Sequence, residues 1–193
     1  GEPLPQTTVR IADDGEVLVR GPQVTAGYYG EQPDTLFRDG WLLTGDLGHL
    51  TAEGSLVIYG RAKELLKTSY GKFVHPSKVE GMLRELPGVV EAMLLGEGRP
   101  YCVALLWVDE DHRDSAAAAR ISDGIAQINT RLSHPEQVKR WAILPASLST
   151  ERGELTANLK LKRQVVAARF QAVLDALYAD TRPPAEVLHV GQA

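Results

Sequence analysis

Cysteine is nearly missing from this sequence: Cys102 stands alone among 193 residues. That excludes an internal disulfide and a cysteine-based zinc cluster. Long apolar runs are missing as well. The stretch Tyr101 to Val108 falls far short of the ~20 residues a membrane-spanning helix requires, and reads instead as a buried strand in which Cys102 is a small core hydrophobe. Nor does one sign of charge dominate. Lys and Arg number 21 against 25 Asp and Glu, a net charge of −4, which excludes a generic nucleic-acid or anionic-membrane surface. The five histidines are scattered singly, so no metal site is expected. Nothing near the start has the layout of a signal peptide, which makes the cytosol the expected compartment. The sequence carries no Walker-type phosphate loop, no His-Glu-x-x-His, no Gly-x-Ser-x-Gly and no dinucleotide fingerprint.

What is present is ordinary core-forming material, 44% hydrophobic and 24% charged, enough to bury a sizeable core. The length suits one domain, or a small domain with a piece of another. The chain begins at Gly1 rather than Met, which reads as a piece of a longer protein. Strands are expected at Val9 to Ala12 and Glu16 to Arg20, joined through Asp13-Asp14-Gly15, a strong hairpin signal. A loop through Gly27 to Gly30 and a short helix around Pro33 to Phe37 follow. A second hairpin is expected from Gly48–Leu50 and Ser55–Tyr59.

After Tyr59 the pattern changes. Val79, Met82, Leu83 and Leu86 recur at i, i+3, i+4 and i+7, one face of a helix starting at Pro76. Val89 to Leu95 and Tyr101 to Val108 read as central strands covered on both faces. Ile121, Ile125, Ile128 and Leu132 mark a second helix, Arg140 to Leu144 a third strand, and Val166 to Leu177 a single last helix. The order from about residue 64 is that of a compact α+β domain, and the tail from Thr181 is expected to be loose. The chain thus reads as two unequal pieces, about 1–60 and 64–180.

Three clusters could carry chemistry. In Gly40-Trp41-Leu42-Leu43-Thr44-Gly45-Asp46, the Asp46 carboxylate could accept both hydroxyls of a ribose, or could simply bond a local turn. Tyr59 to Pro76 crosses the piece boundary with Arg61, Lys63, Lys67 and Lys72 against Glu64. Arg61 offers a planar fork of donors for phosphate or ribose oxygens and Lys63 a hinge position; the alternative is a solvated linker. From Leu155 to Leu174 no acid occurs, while Lys160, Lys162, Arg163 and Arg169 are basic. Cations at a helix start oppose its dipole, so either an anion docks there or acids elsewhere in the fold pack against them.

Taken in order, these clusters resemble the acyl-adenylate-forming enzymes, which include acyl-CoA synthetases, adenylation domains of peptide synthetases and luciferase-like ligases. Gly21 to Tyr29 is similar to the family's RGP…GYY segment, Gly40 to Gly48 to its GW…TGDxG motif, Gly60 to Glu80 to GRxKDxIKxxGxxVxPxxIE, and Leu155 to Arg163 to its terminal lysine motif. The last is most like that of long-chain fatty acyl-CoA synthetases, LTxTxKxKR, with Leu159 where the wider family has glycine. Glu64 for Asp, and Tyr70 for a small residue, are further departures.

The resemblance implies an α+β fold: a small C-terminal domain with a short central sheet flanked by helices, after a β-rich remnant of a large N-terminal domain. It implies residues 1–60 as the end of that domain, 61–63 as a hinge linker, 64–180 as a mobile C-terminal domain and 181–193 as a flexible tail. By the same likeness Asp46 holds the ATP ribose, Arg61 contacts the nucleotide, Lys63 is the pivot of domain rotation, and Gly71 lies on the CoA channel. Lys160 is the catalytic cation, reaching the substrate carboxylate and α-phosphate. Fatty acid, ATP with Mg2+ and CoA are the implied substrates of the full-length ligase, and the missing N-terminal domain is the implied partner. Peripheral membrane association of that parent is left open. A ligase loading a carrier protein is the alternative acceptor, and a non-catalytic module retaining the fold a further reading. Because the phosphate loop and acyl pocket of such enzymes lie upstream of Gly1, the chain alone is expected to be an inactive fragment without tight ATP binding. Titration of magnesium–ATP into the purified 193-residue chain is expected to show no saturation in the micromolar range, and micromolar affinity would contradict this.

Overall fold

The structure, a computed structural model, describes residues 1–25, 27, 36–145, 147–185 and 187–192. It divides into two units, Gly1–Leu65 and Leu66–Ala193.

The first unit is one antiparallel sheet. Strands β1 (Thr8–Ile11), β2 (Glu16–Arg20), β3 (Phe37–Arg38) and β4 (Trp41–Leu50) lie in the order β1-β2-β4-β3, and β5 (Leu56–Arg61) also pairs with β4. The two expected hairpins are present, through residues 12–15 and 51–55. β4 begins at Trp41, earlier than the expected Gly48, so Trp41 to Asp46 of the GW…TGD cluster lie in a strand. Phe37 pairs with Leu42 in β3 and is not the end of a helix. The remainder of that helix reading, Pro33 to Thr35, and Tyr28 to Gly30 of the preceding loop lie outside the described residues. Gly48 is required by packing: a Cβ there would fall 2.6 Å from the Val57 carbonyl oxygen across the β4–β5 ladder.

The second unit opens with a small hairpin, β6 (Leu66–Lys67) and β7 (Phe73–Val74), and continues through α1 (Pro76–Arg84), β8 (Val89–Leu95), β9 (Cys102–Val108), α2 (Ser115–Asn129), β10 (Val138–Leu144), α3 (Arg163–Arg169), α4 (Gln171–Ala179) and β11 (His189–Gln192). Pro76 occupies the first turn of α1, and Asp114 caps α2 by accepting the Ala117 N–H at 2.6 Å. The main sheet has the order β11-β10-β9-β8, with β9 and β10 parallel and the other pairs antiparallel.

All seven residues of β9 are buried, because helices cover both faces. Cys102, Ala104, Leu106 and Val108 face α1 and α2, packing with Val79, Leu83, Ile121 and Ile125. Val103, Leu105 and Trp107 face α3 and α4, packing with Val166, Phe170, Val173 and Leu177. Burial also pushes the Cys102 thiol up to about 11, so it is a core residue rather than a nucleophile.

Three expectations for this unit are corrected. β8 lies at the sheet edge, with Val90 exposed, rather than at the centre. The single last helix is two, because Phe170 leaves helical geometry at φ −100°, ψ 23° and turns its ring onto Trp107. The tail from Thr181 is not loose throughout: β11 pairs with β10, and Gly191 lies so close to Trp141 that a Cβ would meet the indole at 2.2 Å.

Among the described residues the first unit buries only Val17, Leu18 and Leu47 of its hydrophobic side chains, while the second supplies both core clusters. A sheet with so little buried apolar surface cannot offset its own ordering entropy. Expressed separately, residues 66–193 are expected to melt in one cooperative transition by circular dichroism, and residues 1–65 to show none; a cooperative melt of the shorter piece would contradict this.

Candidate functional site

In the first unit, Thr44-Gly45-Asp46 lies where β4 departs from its ladder with β2, the register shifting between Glu16 and Leu18. Gly45 takes φ +70°, a conformation that favours glycine, and its N–H is held by the Glu16 carboxylate at 2.8 Å. The Thr44 hydroxyl donates to the Val17 carbonyl at 2.7 Å and accepts the Asp46 N–H at 3.1 Å. Asp46 is thereby fixed opposite Arg61 on β5. The Arg61 Nε donates to the Asp46 Oδ1 at 2.9 Å, with the arginine side chain 63% and the aspartate 26% exposed. The structure thus brings together the two residues that the sequence singles out as nucleotide ligands. Lys63 follows in a single 3₁₀ turn, Ala62–Glu64, exposed and just before the division between units.

In the second unit, Gly71 lies in the β6–β7 turn. The Thr68 N–H donates to the Lys72 carbonyl at 2.9 Å and the Gly71 N–H to the Thr68 carbonyl at 2.9 Å. Gly71 has φ +74°, and no atom lies within 4 Å of where its Cβ would be. Glycine is needed there for backbone conformation, and the space beside it is open. This hairpin is tied down at the turn between β8 and β9. Lys67 N–H donates to the Glu97 carboxylate at 2.7 Å, and Ser69 N–H to the Arg99 carbonyl at 2.9 Å.

Lys160 belongs to a second hairpin. Leu155 and Leu161 form a bridge at its base. The Thr156 N–H donates to the Lys160 carbonyl at 2.8 Å, and the Lys160 N–H donates to the Thr156 hydroxyl at 3.0 Å. Leu159 closes the turn at φ +57°, a left-handed conformation costly for leucine, with its side chain 69% exposed.

Below the bridge, the Lys162 N–H donates to the Glu154 carbonyl at 2.7 Å. The Glu154 side chain is only 1% exposed and pairs with Arg152 and Arg169. Beyond the hairpin, Arg163 donates to the buried Glu80 carboxylate at 2.6 Å and also to the Leu94 carbonyl. The question left open by the acid-free stretch is therefore answered residue by residue. Arg163 and Arg169 meet acids elsewhere in the fold, whereas among the described residues Lys160 and Lys162 have no ion-pair partner.

Sequence reasoning missed Glu154 and Glu80. The available signal for the first was its position as the last acid before that stretch, two residues after Arg152. Glu80, on the other hand, closes the Gly60 to Glu80 motif, but that position gives no sign of its pairing with Arg163. Among the described residues no group of His, Cys, Asp or Glu side chains could hold a metal ion, and no helix is long and apolar enough to cross a membrane.

Comparison with known proteins identifies what the chain is similar to. The chain is 38% identical over 200 residues to the long-chain-fatty-acid–CoA ligase FadD15 of Mycobacterium tuberculosis, a match taking in 92% of this chain and 33% of that protein. The A-PCP didomain of carboxylic acid reductase from Segniliparus rugosus, solved in complex with AMP, shares the fold with a TM-score of 0.74 at 26% identity, over 93% of this chain and 28% of that one. The O-succinylbenzoate coenzyme A synthetase of Bacillus subtilis, also in complex with AMP, gives a TM-score of 0.66 at 26% identity, over 85% and 34%. The chain spans about a third of the length of the curated relatives it matches. Residues 63–182, which hold both hairpins, match the AMP-binding enzyme C-terminal domain, and the chain belongs to that family.

Proposed function

We propose that this chain is the C-terminal portion of an ATP-dependent long-chain fatty acid–CoA ligase, and that it is inactive without the remainder of that enzyme. The observation that carries the reading is Lys160: a cation free of ion-pair partners among the described residues, on a hairpin held at its base and beyond it by buried carboxylates. The likeness to FadD15 supports the fatty acid–CoA assignment.

In the first half-reaction a carboxylate oxygen of the fatty acid attacks the α-phosphorus of ATP, and pyrophosphate leaves. Negative charge develops between the two anions, and Lys160 is the group that would meet it. A cation fixed in advance stabilises that charge without reorganising during the reaction. Asp46 would accept the ribose hydroxyls. Arg61 would exchange its exposed pairing with Asp46 for nucleotide oxygens, since a solvated ion pair is worth at most about 1 kcal/mol. Magnesium would arrive with ATP as the metal–nucleotide complex. In the second half-reaction the CoA sulfur attacks the acyl carbonyl and AMP leaves. Lys63 would be the pivot that withdraws Lys160 between the two steps, and the open backbone at Gly71 would line the thiol's path. Loading of a carrier protein in place of CoA is the second reading, supported by the likeness to the A-PCP didomain.

In the full-length ligase, Lys160→Ala is expected to lower fatty-acid-dependent ATP–pyrophosphate exchange by roughly a hundredfold or more. Thioester formation from supplied acyl-adenylate should stay within about twofold, as expected of a group used only in the first transition state. Equal loss of both half-reactions would instead assign Lys160 a structural role.

A further inference from the structure

Resting on the reading of Lys160 just given, we infer that Glu154 is a positioning residue for the adenylation step, acting through the hairpin to set where Lys160 stands. The Glu154 carboxylate is 1% exposed, and both its oxygens are engaged. One oxygen accepts the Ser149 N–H at 2.8 Å and the Arg152 Nε at 3.1 Å. The other takes Arg169, at the end of α3. Its main chain is held as firmly: the Glu154 N–H donates to the Ser149 carbonyl at 3.0 Å, and its carbonyl accepts the Lys162 N–H at 2.7 Å. From this foot the hydrogen bonding runs upward through the Leu155–Leu161 bridge to Thr156, which meets the Lys160 backbone as both donor and acceptor. Glu154 therefore sits two steps below Lys160 in one short ladder, with a helix bolted to the other side of its carboxylate.

Stability alone does not explain the arrangement. A buried ion pair can often be exchanged for apolar residues of similar volume at no loss of stability, and Leu148 and Leu161, near Glu154 in the chain, already pack against the apolar core of this unit. What an apolar replacement would not supply is a fixed direction. Two arginines and one amide converge on the carboxylate, so the foot has a single orientation. The demand for direction comes from the tip. A displacement of ~1 Å at a group that must face a transition state can cost as much as ~100-fold in rate.

The test is a double-mutant cycle in the full-length ligase. Glu154→Gln keeps the volume and one acceptor but removes the charge facing both arginines. Expected is a loss of roughly tenfold or more in the turnover of ATP–pyrophosphate exchange. The KM for ATP and the thioester half-reaction from supplied acyl-adenylate should remain within about twofold. In a Lys160→Ala background the same substitution should cause no further loss, because its effect passes through Lys160. Arg169→Gln, at a partner whose side chain is itself 37% exposed, is carried through the same cycle and keeps the test open if the Glu154 variant does not fold. It is expected to give a smaller loss, again confined to adenylation. The inference is overturned if either folded variant weakens both half-reactions together, if the loss persists undiminished without Lys160, or if adenylation is unchanged. If Lys160→Ala by itself spares adenylation, the functional reading falls first and this inference with it.

Discussion

A carboxylate removed from water must be met by charge and hydrogen bonds, or it costs several kcal/mol. At Glu154 every oxygen is met: by Arg152, by Arg169 and by the Ser149 amide. The consequence is geometric. Arg169 ends α3, and α3 is seated on the sheet through Val166 and, just after it, Phe170. A loop that would otherwise be a solvated connection between β10 and α3 is thereby fixed to the core. Arg163 repeats the device on the exit side, reaching Glu80 of α1 and the backbone of β8. The Lys160 hairpin is held from two directions, by elements on opposite faces of the same sheet.

The other candidate residues are held quite differently, and the difference bears on what each could do. The Gly71 turn rests on backbone hydrogen bonds and one exposed carboxylate, Glu97, with open space beside its glycine. Such a turn can accept a ligand passing close to the main chain. Asp46 and Arg61 neutralise each other in a solvated pair across β4 and β5, a pairing weak enough to be exchanged for a ligand. Lys160, unlike Asp46 and Arg61, has no ion-pair partner among the described residues, and it stands on a hairpin held by hydrogen bonds and buried carboxylates. This is the arrangement expected of a group whose work is electrostatic and whose position sets its efficiency.

Much of this was legible in the sequence. Periodicity located α1 and α2, and the Asp13-Asp14-Gly15 turn located the first hairpin, because these features depend on local spacing and turn chemistry. The four motifs, read in order, pointed to the family. What escaped were features decided by distant partners. Nothing local says that Phe170 breaks a helix; it does so where its ring meets Trp107. Nothing in residues 181–193 signals a strand, since β11 exists by pairing with β10 and by Gly191 clearing Trp141. The roles of Glu80 and Glu154 were hidden for the same reason, each being defined by an arginine supplied from elsewhere: Glu80 by Arg163, 83 residues away, and Glu154 by Arg169, 15 residues away.

The central claim is that the Lys160 hairpin is a rigid part of the domain rather than a mobile loop. Native-state hydrogen exchange on the 193-residue chain tests it most directly, since amide protection reports the free energy of local opening. The Thr156 and Lys162 amides, which carry the ladder between Glu154 and Lys160, are expected to exchange at least about a hundredfold more slowly than in an unstructured peptide, and to become exchangeable together with the amides of α3. Exchange of those two amides at the free-peptide rate, with α3 still protected, would contradict the account.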